Sequence, residues 1–410
     1  MSHQVLGRIV FLLFSLHAVF YLNFFIQSGF LSKRIKDKDV IFGLISFALF
    51  SAISTSALGQ IRRWNYRAFY RTHVLIALVI VVPLNMHVRH IRVYVWQIIA
   101  INGINWLLRA WSMKAYTGTV KLLSGTDLVQ ISIPLTSRSP AITWQPGQHI
   151  YLGAPSQNSY SSDATTNKVA AVYGFFNPFT IASVPVKDKE LLLVARTVAG
   201  NTKKLAALAS SVAEDEIGDV PLLLEGPYGA STHFPDFSLF DKVLLVAGGV
   251  GATFVLPVYR SVIDVHDPDR VRFVWAVRTF ADTQWAFPES EQQNGEDVDS
   301  ESRNECPAEI YVTRGTNAAA HAHETSEDIE LEESDRLMAG DEMSAARKGM
   351  VVKTGRPNIP AIVDEVFSKG SRVAVVACGP KRLTRRVSAS VEQWVKQGHE
   401  VYYHEEAFGW

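Results

Sequence analysis

The sequence predicts a multi-domain membrane protein: an α-helical transmembrane domain, then an antiparallel β-barrel, then an α/β domain. Three observations predict this. Four long runs without Asp, Glu, Lys or Arg crowd the chain before Trp111. Short alternating segments follow, with the period of half-buried strands. From Asp241 onward, strands alternate with helices, as in a parallel sheet covered on both faces. At 410 residues the chain exceeds one ordinary domain. Its 48% hydrophobic content excludes disorder throughout. Two cysteines, Cys306 and Cys378, exclude a disulfide scaffold and a cysteine-built zinc or iron–sulfur site.

The uncharged runs are 9–30, 40–61, 72–88 and 93–108. The first two are long enough to cross about 30 Å of hydrocarbon. The last two gain the same reading from their neighbours, because four such runs would overfill a soluble core. The expected spans are about 5–30, 40–60, 71–89 and 93–111. The first run is too long for a signal peptide, and a second span follows after a short charged loop. Loop 61–71 carries Arg62, Arg63, Arg67 and Arg71 and no acid, which places it in the cytoplasm. Residues after Trp111 are then cytoplasmic too. Loop 31–39, with four basic and two acidic residues, supports this less cleanly.

Ionisable residues within spans are functional candidates by default. His3 and His17 are 14 residues apart, and so are His73 and His87. Fourteen helical residues rise about 21 Å and leave both side chains on one face. Two such helices running the same way put His3 level with His73 and His17 level with His87. Facing imidazoles suit six-coordinate haem iron, and two stacked haems would form an electron path. A lone histidine in a membrane helix is more often a hydrogen-bonded contact; the repeated spacing argues otherwise.

In the second half, 117–125, 128–135 and 149–155 read as barrel strands, with turns at Gly125 and Pro146-Gly147. Then come NPFTIAS (177–183), a strand at 190–197 and a helix reached through AGNTKKLAAL (199–208). In the α/β part, 241–263 reads as strand, glycine turn and helix. Strands follow at 271–279, 309–315 and 372–380, with helices at 359–370 and 381–398. Gly248-Gly249-Val250-Gly251 ends a strand and begins a helix, where backbone amides can bind a pyrophosphate; any tight turn of this kind also uses glycine. GPYG (226–229) lies just before the sheet, and Cys378-Gly379-Pro380 lies at the strand edge where such sheets bind ligands.

The net charge of zero hides an asymmetry: residues 289–345 hold 17 Asp and Glu against 3 Lys and Arg. Such composition argues for a disordered acidic insert at 287–308 and 316–348, either a regulatory segment or a passive surface insertion.

Together these motifs resemble the ferric reductase and NADPH oxidase family, with the fungal ferric-chelate reductases looking closest. The resemblance runs from SHQVLGRIVFLLFSLHAVFYL to the terminal EEAFGW. It implies a transmembrane haem domain (1–112), an FAD-binding barrel (113–235) and an NADPH-binding α/β domain (236–410), the last two ferredoxin reductase-like. It makes His3, His17, His73 and His87 ligands of two b-type haems. NPFTIAS resembles the family's flavin motif, with Asn177 where His is expected; Pro178, Phe179, Thr180 and Ser183 match. Arg196, Gly200 and Thr202 would bind the FAD diphosphate. Gly248, Gly249, Gly251, Ala252 and Thr253 would hold NADPH, with Arg278 and Arg356 as candidates for its 2′-phosphate. Cys378 aligns near the nicotinamide and is, with Trp410, an expected catalytic residue; Gly379 and Pro380 would bind cofactor. Phe408 and Trp410 match the aromatic terminus that shields the flavin.

The expected activity is therefore that of an NADPH-dependent ferric-chelate reductase in the plasma membrane. Electrons from a cytoplasmic reductase domain would pass through FAD and two haems to an extracellular ferric or cupric chelate, for metal uptake. An oxidase producing superoxide is the alternative within this class. The family usually has six membrane helices, and this chain begins at what resembles the third. It could be a truncated gene model, a genuine short form or a fragment. An inactive or regulatory membrane subunit, pairing with a full-length relative, is therefore the alternative from another class. Membrane lipid is an expected partner, as is an oligomeric copy or relative; nucleic acid is not.

Overall fold

A computed structural model of the chain describes residues 2–136, 141–153, 177–185, 188–198, 201–214, 220–229, 234–287, 308–313 and 350–406. Gly200, Phe408 and Trp410 lie outside them, as do Cys306 and nearly all of the expected acidic insert. The chain divides into two compact units, 1–108 and 109–410.

The first unit is helical: α1 (Ser2–Gln27), α2 (Leu31–Arg34), α3 (Lys38–Ser56), α4 (Gly59–Trp64), α5 (Tyr66–Val79), α6 (Val81–His87) and most of α7 (Ile91–Ser112). Four segments, His3–Gln27, Lys38–Ser56, Ala68–His87 and Ile91–Ser112, are long and apolar enough to cross a membrane. Their side chains are mostly exposed, as expected of surfaces facing lipid rather than water. Asn65 starts α5 by accepting the Ala68 amide at 3.0 Å, an N-cap contact. The third span, expected as one helix, is interrupted at Ile80. Pro83 accounts for the break. Its ring crowds the carbonyl four residues back, which belongs to Val79, the last residue of α5.

The second unit opens with six antiparallel strands: β1 (Lys114–Leu122), β2 (Leu128–Pro134), β3 (His149–Gly153), β4 (Asn177–Thr180), β5 (Glu190–Arg196) and β6 (Val220–Tyr228). Their order is β4-β3-β6-β1-β2-β5. An isolated bridge from Ile181 to Leu193 nearly closes the ends into a barrel. Strand alternation turns Val120, Ile131, Ile133, Ile150, Leu191, Leu193, Leu222 and Leu224 inward as its core. Leu205 of α8 (Asn201–Glu214) packs into the same core. β6 is an addition to the sequence expectation. GPYG belongs to this barrel strand and its end rather than standing between domains.

The α/β part has six parallel strands in the order β10-β9-β8-β7-β11-β12. They are β7 (Lys242–Gly248), β8 (Val271–Val277), β9 (Ala308–Val312), β10 (Val351–Thr354), β11 (Arg372–Cys378) and β12 (Glu400–Glu406). Helix α9 (Ala252–Val262) covers one face; α10 (Ile359–Phe367) and α11 (Lys381–Lys396) cover the other. The central strands are accordingly apolar on both sides, with Val243, Leu244, Leu245, Val373, Val375 and Val376 fully buried. β10 was not expected, since VVKT is too short and polar to stand out. The strand expected at 309–315 ends at Val312.

β7 and β11 are neighbours, and the turns that follow them pack backbone on backbone. Gly379 has φ +155°, and a Cβ there would lie 2.9 Å from the Gly248 N and Cα. Gly379→Ala should therefore destabilise the full chain by about 1–3 kcal/mol. Gly398→Ala has a positive φ of +93° but open space around it, and should cost less, about 1 kcal/mol. Thermal unfolding of the two variants checks the order.

Candidate functional site

In the first unit, α1 carries His3 and His17 while α5 and α6 carry His73 and His87. The ring centroids of His3 and His73 are 6.2 Å apart, with planes at 79°. Those of His17 and His87 are 6.4 Å apart at 88°. Two metal–nitrogen bonds of about 2 Å, plus half a ring at each end, span roughly 6 Å. Each separation therefore leaves room for one iron between the two rings. The break at Ile80 does not disturb the match, since both levels keep the same spacing. The Nδ1 atom of His73 is buried and has no hydrogen-bond partner among the described residues. His87 Nδ1 instead meets the Asp39 carbonyl at 2.7 Å.

The barrel presents a second constellation. Register places Thr180, His149 and Tyr228 in one row across β4, β3 and β6, and Pro178, Tyr151 and Glu225 in the next. The rings of His149, Tyr151 and Tyr228 touch one another, with centroids 5.7–6.2 Å apart. Glu225 is 1% exposed. It accepts from Arg109 Nε at 2.7 Å and Nη2 at 3.0 Å, and from the Tyr228 hydroxyl at 2.9 Å. The Arg109 guanidinium also lies over the Tyr151 ring. Burial, together with the neighbouring Glu225, holds the Tyr228 phenol above its ordinary pKa. Burial pushes the His149 pKa down, against an opposing pull from Glu406.

This register sorts the flavin-motif residues. Pro178 and Thr180 share the face carrying His149 and Tyr151. Phe179 is buried in the barrel core. Ser183 is also buried: its hydroxyl accepts the Leu192 amide at 3.0 Å and its carbonyl accepts Trp144 Nε1 at 2.8 Å. Phe179 is thus barrel core behind the face, while Ser183 braces Leu192 and Trp144.

The carboxyl edge of the parallel sheet gathers most of the remaining candidates. Gly249 has φ +54°, and its carbonyl accepts Trp275 Nε1 at 2.9 Å. The glycines divide by role. A Cβ on Gly248 would meet Pro380 Cδ at 2.6 Å, and one on Gly251 would run into the Cys378 carbonyl. Gly249 is less crowded: the nearest atom to a Cβ would be Arg196 Nη2 at 3.6 Å, an ordinary contact. Arg196 ends β5, and its Nε is buried without a hydrogen-bond partner among the described residues. A guanidinium with an unused donor beside a glycine turn and the start of α9 fits a diphosphate. Thr202 accepts the Val198 amide at 3.3 Å. Ala252 and Thr253 are buried in the first turn of α9, and the Thr253 hydroxyl donates to the Val250 carbonyl.

Arg278 follows β8 and Arg356 follows β10, both exposed at the same sheet edge. Neither guanidinium has a hydrogen bond or ion pair among the described residues. Cys378 is fully buried at the end of β11. Burial, reinforced by Glu406 and Glu405, raises its thiol pKa steeply, so it stays protonated and inert as a nucleophile. His149, Tyr151, Glu225 and Arg109 were missed by sequence reasoning. Two signals existed: Glu225 is the one charge in VPLLLEGPY, and Arg109 is a lone charge near the end of an apolar helix.

Three family models match consecutive stretches of the chain. A ferric reductase like transmembrane component matches residues 1–84. An FAD-binding domain matches 113–232, and a ferric reductase NAD binding domain matches 240–392. The chain belongs to the ferric reductase family. It is 24% identical to ferric reductase transmembrane component 1 of Schizosaccharomyces pombe, over 98% of this chain and 72% of that one. It is 23% identical to a probable metalloreductase AIM14 of Scheffersomyces stipitis, covering 99% and 73%. Ferric reductase transmembrane component 3 of Saccharomyces cerevisiae is 23% identical, covering 100% and 56%.

Arg196→Ala should weaken FAD binding by one to two powers of ten, the loss of a charge-assisted contact of about 1.5–3 kcal/mol. Titration of flavin fluorescence with apo-protein measures it.

Proposed function

We propose that this chain is an NADPH-dependent ferric-chelate reductase that moves electrons across a membrane, with ferric or cupric chelate outside as substrate. The observation that carries the reading is the twice-repeated histidine pair, at 6.2 and 6.4 Å. The names of the fungal relatives agree with it. Bound FAD and two b-type haems would supply the redox chemistry, turning hydride equivalents into single electrons.

The protein residues bind and orient. His3 with His73, and His17 with His87, would hold the two haems. Pro178 and Thr180, on the aromatic face with His149, Tyr151 and Tyr228, would seat the flavin, with Arg196 on its diphosphate. The turn at Gly249 and the first amides of α9 would take the NADPH pyrophosphate. Arg278 and Arg356 would reach the 2′-phosphate, which a planar guanidinium can grip bidentately. Cys378, buried and protonated, would be a wall of the nicotinamide site rather than a nucleophile. The arginines of loop 61–71 support a cytoplasmic reductase part; a plasma-membrane location would put the acceptor outside the cell. Outward transfer would then run with an inside-negative potential, favourable by about 2.3 kcal/mol per 100 mV.

His17→Ala and His3→Ala should each remove one haem, measured by absorbance per chain, and stop iron reduction outside. Both should leave NADPH-to-flavin reduction intact. Iron reduction that persists undiminished with superoxide dismutase identifies the chelate as direct acceptor; loss of it identifies oxygen. Arg278→Ala should raise KM for NADPH by one to two powers of ten, for about 1.5–3 kcal/mol, and leave KM for NADH nearly unchanged. Equal losses with both nucleotides would assign Arg278 to the fold instead.

A further inference from the structure

Helix α3 contains one glycine, Gly43, and the space its side chain would fill is taken by the His87 imidazole. A Cβ on Gly43 would lie 2.5 Å from His87 Cε1, 2.8 Å from Nδ1 and 3.3 Å from Nε2. The ring is also tied to the same helical turn, since His87 Nδ1 lies 2.7 Å from the Asp39 carbonyl. A carbonyl only accepts, so Nδ1 carries the proton and Nε2 keeps its lone pair. Asp39 and Gly43 are four residues apart, one hydrogen-bonded turn, and the carbonyl has a second lone pair for the imidazole. Two other helical glycines of this unit behave differently: Gly7 and Gly103 have nothing within 4 Å of a Cβ.

We infer that Gly43 is a positioning residue for His87. By leaving one turn of α3 bare, it lets the imidazole dock on the Asp39 carbonyl with the Nε2 lone pair available to metal. This rests on the reading of His87 as a haem ligand. Any side chain at position 43 displaces the ring from its carbonyl anchor, so ligand geometry at this level is set by α3 as well as by the helices bearing the histidines. The His3–His73 level has no equivalent: His73 Nδ1 is without a hydrogen bond among the described residues. The two levels therefore respond differently to a change in α3.

The test uses the full chain in detergent, stripped of haem and titrated with haem b, read by absorbance and by low-temperature electron paramagnetic resonance. Gly43→Ala is expected to weaken one of the two sites about 10–100-fold, the usual loss when the group orienting a ligand is disturbed. The signal of that site should change while the other stays as in the parent. Gly7→Ala, with the same added methyl in open space, is expected to keep both sites. If Gly43→Ala chains do not accumulate, the double variant Gly43→Ala/His87→Gly is expected to accumulate as well as His87→Gly, because the displaced ring is gone. Unchanged titration and resonance in Gly43→Ala, equal loss in Gly7→Ala, or no recovery in the double variant would each overturn the inference. A His87→Ala chain that still binds two haems would overturn the ligand reading, and the inference with it.

Discussion

The α/β part depends on a close approach between two turns. β7 and β11 lie side by side, and the chain leaving each must turn at the same height. Gly248 and Gly251 from one turn meet Cys378 and Gly379 from the other with no side chain between them. That contact fixes where α9 and α11 begin, and so where the first amides of α9 point. It also explains why a glycine-rich turn here is not by itself evidence of a phosphate site. Two of its three glycines are required by packing. The third, Gly249, is required by its positive φ, and it leaves room beside Arg196. The binding argument rests on that one residue and on the unused donor of the arginine.

In the barrel, alternation decides which residues can meet a cofactor. A motif of consecutive residues cannot all point one way in a strand. Pro178 and Thr180 face out and Phe179 faces in, so a match of four residues is in part a match of barrel core. The outward row is completed by residues distant in sequence. His149 and Tyr151 come from β3 and Tyr228 from β6, while the buried Glu225 carboxylate fixes the Tyr228 hydroxyl. A buried carboxylate is costly unless paired. Here two guanidinium bonds and one phenol bond satisfy it, which makes the row a defined surface rather than a set of loose side chains.

The helical unit obeys a different constraint. Fourteen residues return a helix to nearly the same face, and that regularity is written in the spacing of His3, His17, His73 and His87. Pro83 breaks one of the two helices between its histidines. Neighbouring α3 receives the displaced turn, and its bare position at Gly43 accepts the ring.

The sequence by itself determined the order of parts, the apolar spans, the four histidines and the glycine turns, because each follows from a local period or a fixed spacing. It also determined that Cys378 would end a buried strand, since apolar runs in parallel sheets are covered on both faces. Only the tertiary structure decided which glycines serve packing and which leave space, because close approach involves two turns about 130 residues apart in the chain. The same holds for Glu225 with Arg109 and for Gly43 with His87. Each pairs residues remote in sequence, and neither partner carries a local signal of the other. A period reports which face a residue occupies; what stands opposite that face is set by packing.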